Sequence, residues 1–435
     1  MNEATRQFVC QHADDDVRHL ALQAHPADVD LPVALDQIQG RQIARRKLPS
    51  WAAIDDIVYP PHLSMEQCSS EQTAQYKAQL LTRLLSILPS CSSFTDLTGG
   101  FGVDFAFMAK AVVCLLSPPH GAGVGLIYVE RNPDLCALAR HNFPLLGLPD
   151  VEIICGEAEN NLSQRPLSPP LFNISTFQHF NIFYLDPARR DEHGSRTYGI
   201  GDCTPNVLTM IDGLMERAQV VIIKLSPMLD WHQAVVELEA TGSAHVTEVH
   251  VVAFGNECKE LLLVLVRAGE TSCRQLYCVN DGQEFSFSWS IDNKGESTSH
   301  IRELIGVDHL FVPNAAVMKA GCFGELCKHF GLQAVGPNSH LFVRRGNVEE
   351  LQGNDNVMEL FPGRIFQIIT ISSMNKRDLK TTLGGITHAN IATRNFPIRA
   401  DELRRRLKLK DGGDTYLFAT TLTDQSHVIF VCRKL

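Results

Sequence analysis

"FTDLTGGFGVDFAFMAKAV", residues 94–112, is the stretch that decides the fold. A short β-rich run ends at Asp96 and Leu97, Gly99, Gly100 and Gly102 make a tight turn, and an apolar helical pattern follows at once. Glycines in such a turn let backbone N–H groups and a helix N-terminus approach a ligand closely. Strand, glycine turn and helix in that order open a doubly wound α/β sheet.

Outward from this unit the rhythm repeats. "VGLIYVE" (124–130), "VEIIC" (151–155), "NIFYLD" (181–186) and "AQVVIIK" (218–224) read as strands, most of them separated by helical or loop-rich segments. "HVTEVHVVAFG" (245–255) and "ELLLVLVR" (260–267) lie too close together for a helical crossover and predict an antiparallel hairpin. Five βα units closed by a hairpin give a doubly wound sheet with one reversed strand. Residues 1–90 read as helical. "SSEQTAQYKAQLLTRLLSIL" opens with a Ser69…Gln72 capping box and carries Leu80, Leu81, Leu84, Leu85 and Leu88 on one face. Pro-rich loops at 117–123 and 165–170 read as surface insertions. After about residue 270 the pattern changes to one or two smaller α+β domains, with a strand at "QEFSFSWSI" (283–291) and a polar divider at 344–356.

Composition narrows the class. The chain has 435 residues, 44% hydrophobic and 20% charged, as in ordinary globular proteins. No apolar run reaches the roughly 18 residues of a membrane span, and no membrane partner is expected. The N-terminus is acidic and lacks an apolar export segment, and thirteen cysteines fall without disulfide-framework spacing; both predict a reduced, cytoplasmic protein. The pairs Cys273/Cys278 and Cys322/Cys327 read as small buried hydrophobes, and no metal is expected. The net charge of −10 confines any nucleic-acid contact to local patches. Two such patches exist, "RQIARRK" (41–47) and "RRRLKLK" (404–410), the second with Arg404, Arg405 and Lys408.

The glycine turn alone also suits nicotinamide and flavin enzymes. Two details favour S-adenosylmethionine. Asp96 just ahead of the glycines suits an ammonium and a sulfonium but would repel a pyrophosphate. The spacing Gly-Gly-x-Gly also lacks the later glycine of the dinucleotide fingerprint. Glu130, followed by Arg131, ends the second strand, where an acid can accept both ribose hydroxyls. Glu157, followed by Ala158, stands just after the third strand, where an acid can accept an adenine amino group.

The fourth strand runs into "YLDPARRD" (184–191). Ligands of an open α/β sheet bind at the carboxyl ends of its strands, which places Asp186 beside the expected methyl group. A carboxylate and the Pro187 carbonyl there can accept hydrogen bonds from an exocyclic amine and aim its lone pair. Arg189 can stack on a base or clasp a phosphate, with Arg190 beside it on the substrate side. Lys224, leaving the fifth strand, can pair with Asp186 or hold a phosphate. Asn256, Glu257 and Lys259 at the hairpin tip are expected on the same edge, and "GSRTYGIGDCTP" (194–205) reads as a lid. Attack at uracil C5 would need a cysteine after the fifth strand. Lys224-Leu225-Ser226-Pro227 has none, and Cys203 lies after the fourth strand instead.

At this point the chain resembles the class I S-adenosylmethionine-dependent methyltransferases. It is similar to a bacterial branch of them that ends in a THUMP-like domain. "LPSWAAIDDIVYPPHLSMEQCSSEQTAQYKA", "DLTGGFGVDF", "YVERN", "YLDPARRD", "IKLSPMLD", "NECKELL" and "RNFPIRADELRRRLKLKDGGDTYLFATT" carry the resemblance, over most of the chain. It implies a seven-stranded sheet with a reversed last strand, and a site lined by Asp96, Thr98, Gly99, Gly100, Gly102, Glu130 and Glu157. It also implies a ferredoxin-like module ahead of the THUMP-like one, and RNA as partner. The expected divisions are 1–90 helical, 91–270 methyltransferase, 271–350 ferredoxin-like and 351–435 THUMP-like. Three functions compete: an RNA methyltransferase, a methyltransferase on protein or a small molecule, and a non-catalytic binding module. The acid at each of the strand ends speaks against the last. Whether the N-terminal helices meet cofactor or substrate is left open, with Thr73, Tyr76 and Lys77 the residues of interest there.

Overall fold

The structure, a computed structural model, describes residues 1–87, 93–116, 125–160, 181–188, 199–290, 298–345 and 360–435. Both Pro-rich loops, Leu88, Arg189, Arg190 and most of the 344–356 divider lie outside them. The chain divides into two compact units, 1–248 with 261–272, and 249–260 with 273–435. The division differs from the expected one at 249–260, which falls within the expected 91–270 part but in the second unit here.

In the first unit, β1 (Ser93–Asp96) lies between β2 (Gly125–Glu130) and β4 (Asn181–Leu185), parallel to both. β3 (Val151–Cys155) continues beyond β2, and β5 (Val220–Leu225) beyond β4. β7 (Glu257–Arg267) pairs antiparallel with β5, and β6 (Ala244–Phe254) lies beyond it. The order β3-β2-β1-β4-β5-β7-β6 is the doubly wound sheet with one reversed strand that the spacing predicts. β4 and β5 are apolar apart from Asn181, the Tyr184 hydroxyl and Lys224, because helices cover both faces of such a sheet. β3, at the edge, is half open to solvent. Two further strands, β8 (Gln275–Asn280) and β9 (Gln283–Ser288), pair antiparallel with each other and belong to the second unit.

β6 and β7 join through Gly255 and Asn256, both at positive φ (60° and 58°). That is the two-residue turn whose twist matches paired strands. Among the N-terminal helices, Glu71–Ile87 buries Leu80, Leu81, Leu84 and Leu85 together with Lys77, and packs along the helix Val103–Leu116. Its cap departs from expectation. Ser70, not Ser69, accepts from the Thr73 N–H at 3.3 Å. The Ser69 hydroxyl is used elsewhere.

Among the described residues the second unit also holds a seven-stranded sheet ordered β11 (Gln333–Ala334), β12 (Phe342–Arg345), β10 (Val307–Pro313), β13 (Gly363–Ser373), β16 (His427–Lys434), β15 (Thr415–Thr421) and β14 (Asn390–Arg394). β10 (Val307–Pro313) and β13 (Gly363–Ser373) are antiparallel neighbours in it, and only β14 (Asn390–Arg394) with β15 (Thr415–Thr421) run parallel. One apolar cluster is built on Leu310, Val343, Phe366, Phe418 and Phe430. Another joins Leu417, Ile429 and Val431 to Leu403, the buried residue of the basic helix Ala400–Leu407. Among the described residues no helix is long and apolar enough to cross a membrane.

Candidate active site

The site is built at the carboxyl ends of β1, β2, β4 and β5. The turn after β1 is shaped by close approach. A Cβ on Gly99 would lie 2.1 Å from the Tyr128 ring, and Gly102 sits at φ +86° with Phe143 2.8 Å from where its Cβ would be. At Gly100 a Cβ would meet almost nothing, so bare backbone faces open space there. The loop is held from several sides. Gly99 N–H donates to Val129 O (2.8 Å), Tyr128 OH to Gly100 O, and Gly100 N–H to Glu130 Oε2 (2.8 Å). Glu130 Oε1 accepts from Asn132 N–H at 2.8 Å. Glu130 thus braces two loops, and each of its oxygens retains a second lone pair.

Thr98 joins the glycine turn to the Asp-Pro motif. Its N–H and hydroxyl lie 2.9 and 3.4 Å from Asp96 Oδ1, and its Oγ accepts from the Asp186 N–H at 2.6 Å. Asp96 is 1% exposed. Burial, reinforced by the charges of Asp104, Asp186 and Glu130 and opposed by the Thr98 hydrogen bond, pushes its carboxyl well above the ordinary range. The acid expected at Asp96 is present, but its surroundings disfavour the charged form rather than support it.

Asp186 follows β4 and is 38% exposed, with Oδ2 2.6 Å from Lys224 Nζ. Pro187 is buried. Ala188 exchanges backbone hydrogen bonds with Thr204 (2.8 and 2.9 Å), so the described end of the expected lid is bridged to the motif. Behind Asp186 lies a group that sequence reading does not single out, Ser69, Asp104 and Tyr184. Asp104 Oδ2 accepts from Ser69 Oγ and Tyr184 OH, both at 2.8 Å, and the Lys224 ammonium is 3.6 Å away. Lys77, 0% exposed, lies 3.1 Å from Asp104 Oδ1. Burial acts to raise the Asp104 carboxyl, but Lys77, Lys224 and the two hydroxyls outweigh it and hold it at about 2. Phe101 of the glycine turn packs edge-on against Trp51, with ring centres 5.1 Å apart. The N-terminal segment thus reaches this site at Trp51, Ser69 and Lys77.

The other expected residues are distributed as follows. Glu157 and Arg131 are exposed near the ends of β3 and β2, and Ala158 is buried. Thr73 bonds back to Ser70. Asn256, Glu257 and Lys259 belong to the second unit, where Asn256 Oδ1 accepts from Ala315 N–H (2.9 Å) and Lys259 pairs with Glu257 (2.6 Å). Arg404 is held by Asp401 and Asp411 at 3.1 and 2.5 Å, whereas Arg405 and Lys408 are exposed. Cys278 faces Cys322 at 3.8 Å, across the two pairs noted in the sequence. Among the described residues no cluster of His, Cys, Asp or Glu is arranged to hold a metal.

The strand order and the loops at its carboxyl edge define the class I methyltransferase fold. Comparison with known proteins gives the branch. Residues 309–351 match a ferredoxin-like domain and residues 363–434 a THUMP domain-like family. A putative methyltransferase from Porphyromonas gingivalis W83 superposes with a TM-score of 0.76 at 27% identity, over 99% of this chain and 97% of its own. A putative RNA methyltransferase from Pyrococcus horikoshii covers 54% of this chain and 98% of its own, at 13% identity and a TM-score of 0.35, an overlap too slight to carry an inference. No curated protein matches the chain. The chain thus has a class I S-adenosylmethionine-dependent methyltransferase fold, followed by a ferredoxin-like module and a THUMP-like C-terminal domain.

Proposed function

We propose that the protein transfers a methyl group from S-adenosylmethionine to RNA, with Asp186 aiming the acceptor. The observation that carries this is the Asp186–Lys224 pair at the exit of β4, tied through Thr98 to the glycine turn. The residues present fit the cofactor. Gly100 offers bare backbone, Glu130 a carboxylate at the end of β2, and Asp96 a carboxyl that a cation would ionise. When bound, the cofactor supplies an electrophilic methyl carbon on a positively charged sulfur.

The chain's own residues orient the nucleophile. Asp186 and the Pro187 carbonyl accept from an exocyclic amine and point its lone pair along the line of displacement. Half-exposed Asp186 would take up the proton that the acceptor nitrogen gives up on methylation and pass it to water. RNA is favoured by the THUMP-like domain and by the exposed cations Arg405, Arg406, Lys408 and Lys410 at the end of its helix. A protein or small-molecule acceptor is the second reading, favoured by the net charge of −10.

The test uses methyl-labelled cofactor with total RNA and, separately, a protein extract, both from a strain lacking the protein. Label in one RNA size class supports RNA, and label confined to protein overturns it. Asp186→Ala is expected to bind cofactor normally while turnover falls by about a hundredfold or more.

A further inference from the structure

The charges behind Asp186 form one connected array inside the first unit. Lys224 stands between two carboxylates, 2.6 Å from Asp186 and 3.6 Å from Asp104. Lys77 closes the far end on Asp104 at 3.1 Å. The Ser69 hydroxyl donates to Asp104 at 2.8 Å and accepts from both ammonium groups at 3.2 Å. Tyr184 donates to the same Asp104 oxygen from inside β4. Two cations and two anions balance, yet apart from Asp186 the array is almost wholly withdrawn from water. Desolvating that many charges is expensive, and apolar residues would pack the same space at lower cost. The array ends on the carboxylate at the proposed methyl-transfer position, and three separate segments feed it: the N-terminal region, the helix after the glycine turn, and β4 with β5.

We propose that Asp104, anchored by Lys77, Ser69 and Tyr184, is a positioning residue for methyl transfer: it holds the Lys224 ammonium against Asp186 and so fixes the carboxylate that meets the acceptor. This rests on the role given to Asp186 above. It makes the N-terminal helical region part of the active site, since Ser69 and Lys77 come from there. With Asp104 in place, Lys224 has carboxylates on two sides and one geometry. Without it, the ammonium keeps one of its two carboxylates and a Ser69 hydroxyl that is no longer anchored, and the Asp186 carboxylate turns with it. A misplacement of about 1 Å at such a group costs on the order of a hundredfold in rate.

The experiment compares the full-length wild type with Asp104→Asn, Asp186→Asn and Ser69→Ala. Two things are read: crystal structures, for the Lys224–Asp186 distance, and methyl transfer to total RNA, for kcat, KM and pH profile. For Asp104→Asn the expected result is a lengthened Lys224–Asp186 pair, kcat lowered about tenfold to a hundredfold and cofactor KM changed less than threefold. The pH profile should change shape, because a charge beside the Lys224–Asp186 pair has been removed. Should Asp104→Asn fail to fold, Ser69→Ala removes one shared hydroxyl, and the same lengthening is expected with a severalfold loss of kcat. An unchanged pair, or wild-type kcat and pH profile in a folded variant while Asp186→Asn is inactive, overturns the positioning role and leaves that of Asp186 standing. Full turnover in Asp186→Asn overturns the reading beneath it as well. If RNA accepts no methyl from any of the proteins, the crystallographic distance alone decides.

Discussion

Two aspartates flank the glycine turn, and both are buried, but their surroundings push their carboxyls in opposite directions. Asp96 looks onto other acids and a threonine, and its carboxyl is pushed far up. Asp104 looks onto two lysines, a serine and a tyrosine, and is held at about 2. Burial disfavours the charged form at both positions, so the neighbours decide the outcome. At one end of the loop the neighbours favour the charged form, and at the other they disfavour it.

The largest effect that separates the two is on stability. Asp104→Asn strips a buried carboxylate from two ammonium groups and is expected to cost about 3–5 kcal/mol in urea unfolding near neutral pH. Asp96→Asn keeps an oxygen for Thr98 and is expected to change stability by no more than about 0.5 kcal/mol. Equal losses would break the comparison, because Asp96 would then be an anion in the free protein.

Acid should erase part of the difference. The Asp104 carboxyl is lowered from 3.8 to about 2, so its stabilisation is present above 3.8 and disappears as the pH falls toward 2, a change of about 2 kcal/mol. Asp96 has the opposite sign, with its contribution present below 3.8 and lost as the pH rises through its elevated value. The gap in unfolding free energy between wild type and Asp104→Asn should therefore narrow below about pH 4. A gap that widens there would reverse the assignment.

Cofactor binding sharpens the contrast at smaller scale. A sulfonium or ammonium beside Asp96 favours its ionised form, so binding should release up to one proton. Calorimetry of S-adenosylmethionine in two buffers of different ionisation enthalpy measures this, and the release should vanish in Asp96→Asn. A buffer-independent heat in the wild type would place the cation elsewhere.

The rule that neighbours decide also separates the two basic clusters. Arg41 is committed to Asp55 at 3.2 Å, Arg45 to Asp14, and Lys47 to the carbonyls of Met65 and Glu66 at 2.8 and 2.7 Å. Arg405 and Lys408 are exposed. Replacing Arg405 and Lys408 by Gln should lower the salt slope of RNA binding by about 1–2, and Arg41→Gln should leave it alone. Equal slopes in the two variants would remove the case for RNA at this helix.

What the sequence reveals follows from how far apart the cooperating residues are. β1 with its glycine turn, the acids ending β2 and β4, and the Gly255-Asn256 hairpin are legible because each is encoded within about a dozen residues. The Lys224–Asp186 pair is legible as well, since adjacent parallel strands bring their exits together. Ser69, Asp104 and Tyr184 are not. Asp104 reads as a routine acid in a helix's first turn, Ser69 as a cap and Tyr184 as a core aromatic. Their shared role needs Lys77 and Lys224, 147 positions apart in the chain, to converge. β8 is missed because "QLYCVN" is short and does not alternate.

The boundary between the two units also bears on ancestry. It crosses the chain three times, at 248/249, 260/261 and 272/273. A cassette joined by one tether can be gained, lost or exchanged through a single recombination. Here twelve residues of the C-terminal unit, 249–260, form the distal part of the β6–β7 hairpin, and the rest of both strands, 244–248 and 261–267, belongs to the other unit. A crossover at any single point would leave one unit lacking a piece of itself, so the two halves are expected to be inherited together.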